Sequence, residues 1–455
     1  MEMVLEFLRD VLSQPALLIG IMSCIGLIAL KRPFHKVMTG TLKPILGYLM
    51  LAAGAGVIVN NLDPLGKMIE HGFHITGVVP NNEAIVAVAQ KVLGVETMSI
   101  LVVGLLMNLC IARFTKFKYV FLTGHHSLFM ACLMSAVLGT AGLSGMELIL
   151  VGGFLMGAWS AISPAIGQSY TSKVTDGDEI AIGHFGSLGY YLSAWVAKYV
   201  GKADDSTEDI EIPEKWGFLR DSTLSTALTM IVFYLIAAIA AGSEFVSTLS
   251  GDMSPYLYAV MSAMNFAVGV AIVYSGVRMI LGDLIPAFQG IATKIIPNAI
   301  PAVDCAVFFT YAPTAVVLGF ISSFIGGIIG MLILGAVGGV LIIPGLVPHF
   351  FCGATAGIYG NATGGRRGAA VGAFLNGLAI TFLPAMALPV LGQLGFQNTT
   401  FGDADFAVMG LVLGNAYEWV GMAGIYGIVA IAALVLIIPN FIKTKGKVIN
   451  YVEED

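Results

Sequence analysis

Charged residues are scarce in this chain of 455 residues: only 11% are charged, whereas 57% are hydrophobic and the mean hydropathy is +0.89. A soluble domain carries roughly 25% charged residues, so a soluble enzyme or binding module is excluded as a class. Apolar runs of about 20 residues recur along the chain, and each is long enough to cross a hydrocarbon core of ~30 Å as a helix. The composition therefore predicts a polytopic membrane protein.

Cysteine is also rare, and its five copies lack the CxxC spacing of metal-binding or redox motifs. We expect buried, unreactive thiols at Cys24, Cys110, Cys132, Cys305 and Cys352. No phosphate-binding loop, dinucleotide-binding fingerprint or zinc motif occurs, so the sequence predicts no cofactor and no metal. The basic residues are too scattered for a nucleic-acid surface.

The apolar runs are predicted to be helices, because backbone groups in lipid must form their hydrogen bonds within the segment. The alternating strands of about ten residues that a membrane barrel needs are absent. By length, we expect about eleven crossings and some re-entrant segments. Lysine and arginine mark the cytoplasmic side, so the basic residues at 31–36 predict an outside N-terminus, and Lys443, Lys445 and Lys447 predict a cytoplasmic C-terminus.

A polar segment divides the chain into two hydrophobic halves of nearly equal length. We predict a first membrane half at 1–200, a cytoplasmic linker at 201–221, a second membrane half at 222–442 and a cytoplasmic tail at 443–455. Equal halves suggest an internal repeat, and if each half crosses the membrane an odd number of times, the two repeats are inverted. Glycine, proline and polar residues interrupt an apolar helix in each half, at 163–187 and at 344–367. Such breaks indicate a transporter binding site, because free helix ends bind substrate.

Ionisable side chains inside apolar sequence are the candidate site residues, because they are costly to desolvate at bilayer depth. They are His125, His126, His184, His349 and Asp304. A neutral imidazole can donate to or accept from hydroxyl groups, and a protonated one offsets an anion. A buried carboxylate must pair, take up a proton or bind a polar ligand such as a sugar. Capping or packing is the alternative for each histidine, and a helix N-cap is the alternative for Asp304.

Several stretches, in this order, resemble the membrane IIC components of the ascorbate-specific phosphotransferase system over nearly the whole chain. They are Leu122-Thr123-Gly124-His125, Val174-Thr175-Asp176-Gly177 with Ile182-Gly183-His184, Ala302-Val303-Asp304-Cys305-Ala306 with Ala312-Pro313, and Leu341-Ile342-Ile343-Pro344-Gly345 with Phe350-Phe351. The resemblance implies an all-α polytopic membrane fold. In it, a core domain holds the substrate and moves, elevator-like, against a V-shaped scaffold domain that carries the contact of a homodimer.

The resemblance also implies a role, which is to take up ascorbate or a related small sugar acid across the bacterial inner membrane. The subunit is not an enzyme on its own, since a separate cytoplasmic IIB protein phosphorylates the sugar and a IIA protein supplies IIB. By position, the implied substrate contacts are His125, His184, Asp304, His349, Phe350 and Phe351. A looser match adds Asn82, Glu83 and Ala84.

Two positions depart from the pattern of that family. Phe185 directly follows the second histidine and Phe129 lies four residues after the first, where ascorbate transporters carry glutamine. Both are included as candidate contacts, because phenyl faces can stack on a sugar ring. One alternative is therefore a phosphotransferase IIC component for a different sugar or polyol. A second alternative is a secondary transporter of a small polar anion, coupled to H⁺ or Na⁺ through Asp304.

Overall fold

The computed structural model describes residue 11 and residues 14–74, 77–78, 80, 82–177, 179–210, 222–392 and 400–441. Helices account for most of them, and we number these helices in chain order. They are α1 (Pro15–Ala29), α2 (Phe34–Phe73), α3 (Asn82–Phe114), α4 (Gly124–Thr140), α5 (Gly145–Thr175), α6 (Ser187–Val200), α7 (Ser222–Ala241), α8 (Ser243–Ser250), α9 (Pro255–Lys294), α10 (Pro313–Ala336), α11 (Leu346–Gly392), α12 (Ala404–Val420) and α13 (Met422–Ile437).

Seven of the described helices are long and apolar enough to cross a membrane. An eighth crossing results if α7 and α8, which are bent by 117° at their junction, form one span. These lengths and compositions confirm the predicted all-α, polytopic membrane class. The count of eleven crossings and the inverted repeats remain predictions.

Glycines bring α2 and α9 into backbone contact. A Cβ added at Gly47 would lie 2.9 Å from the backbone oxygen of Gly276, and one added at Gly276 would lie 2.6 Å from that of Gly47. Gly54 and Gly269 repeat this reciprocal contact at 2.7 and 2.9 Å. The helices are antiparallel, because the later glycine of α2, Gly54, meets the earlier glycine of α9, Gly269. Close approach through small residues is a main source of helix association in lipid.

Helix α11 folds back on itself at Gly364 and Gly365. Residues eight apart in a straight helix are separated by ~12 Å. A Cβ added at Gly360, however, would lie 2.4 Å from the backbone oxygen of Gly368. Gly364 and Gly365 leave the helical region, and Gly365 has a φ of +60°, which glycine adopts without strain. The interrupted helix of the second half is therefore a hairpin with two antiparallel arms.

Residues 201–210, the first part of the predicted linker, pack on this hairpin and on α10. The Glu208 carboxylate accepts hydrogen bonds from the backbone N–H groups of Thr314 and Ala315, both at 3.1 Å. Asp205 pairs with Arg366 at 2.7 Å, beside the fold-back. A carboxylate at a helix N-terminus satisfies free N–H groups and offsets the helix dipole. Residues 211–221 and the predicted tail at 443–455 lie outside the described residues.

Three short parallel strands lie among the helices: β1 (Tyr119–Phe121), β2 (Ala181–Ile182) and β3 (Ile300–Val303). The central strand is β3, which pairs with β1 on one side and with β2 on the other. Every residue of the three strands is buried. The sequence did not predict this sheet, because such short strands show no readable alternation.

Candidate functional site

Three candidate residues meet at the carboxyl edge of the sheet. His125 lies just beyond the end of β1, His184 lies just beyond β2, and Asp304 directly follows β3. All three strands run parallel, so their carboxyl ends share one edge. The sheet thus brings together residues that are far apart in the sequence.

Gly183 holds His184 against the central strand. Its backbone N–H donates to the oxygen of Val303 at 2.7 Å. A Cβ at this position would lie 2.4 Å from the backbone oxygen of Ala302. The atoms of a paired strand cannot move aside as a flexible side chain can, so the position requires glycine.

His125 lies between an acid and a phenol. Its Nε2 is 3.4 Å from Asp304 Oδ2, and its Nδ1 is 3.4 Å from the hydroxyl of Tyr48 on α2. The other oxygen of Asp304 accepts a hydrogen bond from the backbone N–H of Ala306 at 3.1 Å. Asp304 therefore caps the 3₁₀ turn Cys305–Thr310 with one oxygen and faces the imidazole with the other, so its N-cap role is compatible with a role in the site.

His126 and His184 lie side by side, with ring centroids 3.8 Å apart. The backbone N–H of Phe185 donates to His126 Nδ1 at 3.3 Å, and that of Gly186 donates to His184 Nδ1 at 3.1 Å. The hydroxyl of Tyr190 lies 2.8 Å from the same His184 nitrogen. A backbone N–H can only donate, so both Nδ1 atoms are acceptors. Both rings are therefore neutral and carry their hydrogen on Nε2.

Asp403, which the sequence analysis did not single out, belongs to the same cluster. Its Oδ1 accepts a hydrogen bond from Cys352 Sγ at 2.9 Å, and its Oδ2 accepts one from Asn82 Nδ2 at 2.6 Å. The same Oδ1 lies 3.9 Å from His184 Nδ1. Asn82, one of the sequence-predicted contacts, is thereby held at the cluster by the start of α3.

Asp405 is a second residue that sequence reasoning missed, and it supports the segment that carries His184. It is fully buried, and its carboxylate accepts from Ser187 Oγ at 2.8 Å, from the Leu188 N–H at 3.0 Å and from Trp159 Nε1 at 3.3 Å. It therefore caps the N-terminus of α6. The only sequence signal for Asp403 and Asp405 is a pair of acids at the start of an apolar helix.

A cavity of about 1440 Å³ contains the cluster. Helix α2 lines it from Tyr48, beside His125, to Phe73 at the end of the helix, and α7, α10 and α11 supply mainly apolar walls. The lining residues that belong to the cluster are Asn82, His125, His126, His184, Asp304 and Asp403. An apolar cavity with a few convergent polar groups is the usual form of a small-molecule site.

The remaining sequence-predicted contacts fall into three groups. Phe129 and Phe351 line the cavity. The side chains of Phe185, His349 and Phe350 are buried and are not part of the lining. The side chains of Glu83 and Ala84 lie outside the described residues.

The three buried side chains have other partners. The Phe185 ring stacks on Phe121 with centroids 4.6 Å apart and lies beside the His126 ring at 6.1 Å, and the backbone N–H of Phe185 donates to His126. His349 Nδ1 lies 2.9 Å from the hydroxyl of Ser323 on α10. Phe350 packs edge-on against neighbouring phenylalanines. A role as a substrate contact stays a prediction for each of them.

The cluster has the residue types of a metal site. His126, His184 and Asp403 each offer one ligand atom, and these atoms lie within 4.8 Å of one another. A metal ligand must present a free lone pair. In both histidines Nδ1 accepts a backbone N–H and Nε2 carries hydrogen, so the hydrogen bonds of the site favour donation to an organic ligand.

Helix N-termini lie beside the cluster. Helices α4 and α6 and the 3₁₀ turn Cys305–Thr310 all begin shortly after a strand ends, at the edge where the cluster lies. The free N–H groups of a helix N-terminus carry a partial positive charge and bind anions. Lys67 is the one lysine or arginine among the described lining residues, and it pairs with Asp63 at 2.8 Å. Asp405 caps α6 and Asp304 caps the 3₁₀ turn, so the N-terminus of α4 is the one whose partial positive charge no described carboxylate caps.

Comparisons with known proteins show which family the sequence resembles. Residues 10–405 match the sequence profile of the family described as "PTS system sugar-specific permease component" (EIIC-GAT). A protein of Mycoplasma pneumoniae, described as "Ascorbate-specific PTS system EIIC component", is 26% identical over 474 aligned positions. That alignment spans 90% of this chain and 70% of the relative. The region matched by the family profile includes all three strands and the whole polar cluster.

Proposed function

The chain belongs to the family of PTS sugar-specific permease components, and on this premise we propose that it carries ascorbate or a related small sugar acid across the membrane. A cytoplasmic IIB protein, supplied by a IIA protein, then phosphorylates the sugar, and the permease itself transfers no phosphoryl group. Ascorbate is the first substrate to test, because the relative from Mycoplasma pneumoniae is described as ascorbate-specific.

The observation that carries the proposal is the convergence of His125, His184 and Asp304 on one cavity. A small sugar acid presents hydroxyl and oxyanion groups. The Nε2–H of His184 can donate to its oxygens, and a carboxylate oxygen of Asp304 can accept from its hydroxyls. The N-terminus of α4 favours a negative charge on the bound sugar.

The extent of the cavity supports uptake from the outer side. If residues 31–36 are cytoplasmic, α2 begins on the cytoplasmic side and ends outside at Phe73, which lines the cavity. Helix α10 begins beside residues 201–210, and its far end lines the cavity at Met331 and Leu332. The described conformation is then the one that collects substrate from outside. The packed part of the linker lies on the opposite face, where IIB would act.

The homodimer, the movement of a core domain against a scaffold and the location in the bacterial inner membrane belong to the same proposal. Packing supports two separate bodies. Helices α2 and α9 associate through reciprocal glycine contacts. The cluster is built on the strand ends, α6 and α11, and residues 201–210 are attached to α10 and α11.

Transport into membrane vesicles tests the proposal. Right-side-out vesicles that hold the protein, phosphoenolpyruvate, the soluble phosphotransferase proteins and the cognate IIB should accumulate labelled ascorbate as its phosphate. Omission of IIB should abolish phosphorylation, whereas an ionophore should not. Uptake that an ionophore stops and that needs no IIB would favour the ion-coupled alternative. A folded protein that takes up no ascorbate would contradict this substrate.

The variant Asp304→Asn tests the site in the same vesicles. It keeps the shape of the side chain and removes the charge, so one charge-assisted hydrogen bond of ~1.5–3 kcal/mol is weakened. The apparent affinity for ascorbate should fall by about tenfold or more. Asp252 is exposed in the turn before α9, so Asp252→Asn is the matched control and should transport like the wild type. Equal transport by both variants would leave Asp304 with its capping role alone.

A further inference from the structure

The three histidines of the cavity differ in what their ring nitrogens face. Backbone N–H groups occupy Nδ1 of both His126 and His184, at 3.3 and 3.1 Å. An imidazolium carries hydrogen on both nitrogens and cannot accept a hydrogen bond. Protonation of either ring would therefore set two N–H groups against each other at a buried position. These hydrogen bonds oppose a second hydrogen on either Nδ1 atom.

His125 has partners that can both accept a hydrogen bond. Its Nε2 faces the carboxylate of Asp304, and its Nδ1 faces the hydroxyl of Tyr48. A phenolic hydroxyl can donate to a neutral ring or rotate and accept from a charged one. The His125 side chain is 38% exposed, compared with 5% for His184, and it lines the cavity. Water in the cavity can therefore deliver a proton to this ring.

Burial and the neighbouring His184 oppose a proton on His125, whereas the charges of Asp304 and Asp403 favour one. The titratable groups that face it are Tyr48 of α2, its neighbour His126, His184 beyond β2, Asp304 beyond β3 and Asp403 ahead of α12. Since two of the imidazoles are neutral, the charged members of this group are the two carboxylates. An anionic sugar would add a third negative charge, so its binding favours the protonated form of the ring that can accept a proton.

We propose that His125 is the proton-binding group of the site and that an anionic substrate binds together with one proton held between Asp304 and Tyr48. A hydronium ion from the aqueous phase gives its proton to Nδ1 and leaves a water molecule, while the hydroxyl of Tyr48 turns from donor to acceptor. No covalent bond between heavy atoms forms or breaks. The inference rests on the proposed function in one respect, the negative charge of the sugar. It assigns the imidazoles different roles, two as fixed donors and one as the group that titrates.

The first part of the test needs no substrate. Full-length protein in lipid nanodiscs, labelled with nitrogen-15 in histidine, gives ring-nitrogen NMR signals that distinguish the two neutral tautomers from the imidazolium. The signals that disappear in the variant His125→Gln are those of His125. His35→Gln is the matched control, because His35 is exposed at the start of α2. As the pH falls from about 8 to about 5, His125 should become imidazolium before His126. Earlier protonation of His126, or a neutral His125 throughout, overturns the proposal.

The second part adds ascorbate and measures binding by calorimetry in phosphate and in Tris at one pH near 7. The difference between the two buffers gives the number of protons taken up per sugar. The wild type and His35→Gln should each bind as much as one proton per sugar. Their affinity for ascorbate should fall as the pH rises. His125→Gln should bind more weakly and take up almost none. Binding by the wild type without proton uptake overturns the coupling. If ascorbate does not bind, the proposed substrate is wrong, and the first part alone decides the role of His125.

Discussion

Replacement of Gly183 by alanine is expected to push the strand that carries His184 away from the central strand. The added Cβ would lie 2.4 Å from the backbone oxygen of Ala302, about 1 Å closer than an ordinary van der Waals contact. A shift of that size would lengthen the hydrogen bond from the Gly183 N–H to the Val303 oxygen, now 2.7 Å. The lengthened distance between the Gly183 nitrogen and the Val303 oxygen would exceed the ~3.2 Å limit of a good N–H to oxygen hydrogen bond.

The cost follows from these two changes. Loss of one hydrogen bond costs ~1 kcal/mol, and an overpacked methyl group costs ~1–3 kcal/mol, so the free energy of unfolding should fall by roughly 2–4 kcal/mol. His184 moves with its strand, by more than the ~0.5 Å that a binding site tolerates. One weakened hydrogen bond to the sugar would then lower the affinity for ascorbate by about tenfold.

Thermal unfolding in detergent and calorimetric binding of ascorbate measure the two effects of Gly183→Ala. Gly177→Ala is the matched control, because Gly177 precedes the same strand and nothing lies within 4 Å of its added Cβ. The control should behave like the wild type in both assays. An unfolding temperature and an affinity for Gly183→Ala that equal those of the control would refute the argument that close strand contact positions His184.

Three further predictions concern residues whose roles the structure separates. Phe129→Gln should change the affinity for ascorbate, because the ring lines the cavity. Phe185→Gln should lower the unfolding temperature, because it buries an unpaired amide at a cost of ~1–3 kcal/mol. The opposite pattern would contradict the orientation of the two rings. Tyr190→Phe should weaken ascorbate binding by about fivefold, since His184 loses a hydrogen-bond partner worth ~1 kcal/mol. If calorimetry shows no change, the Gly186 amide alone fixes the His184 ring. Gly365→Ala should lower the unfolding temperature, because its φ is +60° and a Cβ would lie 2.3 Å from two backbone oxygens of the 201–210 segment; an unchanged unfolding temperature would contradict the fold-back contact.

The sequence predicted the membrane class and part of the polar cluster for one reason, the cost of desolvating polar groups. His184 and Asp304 stand out because their neighbours are apolar, and that signal is local. The interruption near Gly364 and Gly365 was also visible. Whether it is a kink or a fold-back depends on the contact between Gly360 and Gly368, which the local sequence does not encode.

The rest of the site depends on contacts between distant parts of the chain. Pro301 lies within β3, although proline argues against a central strand, so the sheet left no usable pattern. Asp403 and Asp405 resemble loop residues in the sequence, and their partners lie 51 and 218 residues away, at Cys352 and Ser187. The resemblance to the family pointed to position 185. It could not show that the ring stacks on Phe121 while the backbone N–H donates to His126.

The order of strands in the sheet has a consequence for the synthesis of the protein. The strands β1 and β2 both pair with β3 and not with each other, and β3 is translated about 180 residues after β1. Until β3 emerges from the ribosome, the first half holds two short extended segments whose backbone groups lack their partners in an apolar environment. Long-range pairing of this kind forms late and leaves early intermediates exposed to misassembly. A nascent chain that ends before residue 300 lacks β3 and Asp304, so the site forms only after the second half has been synthesised.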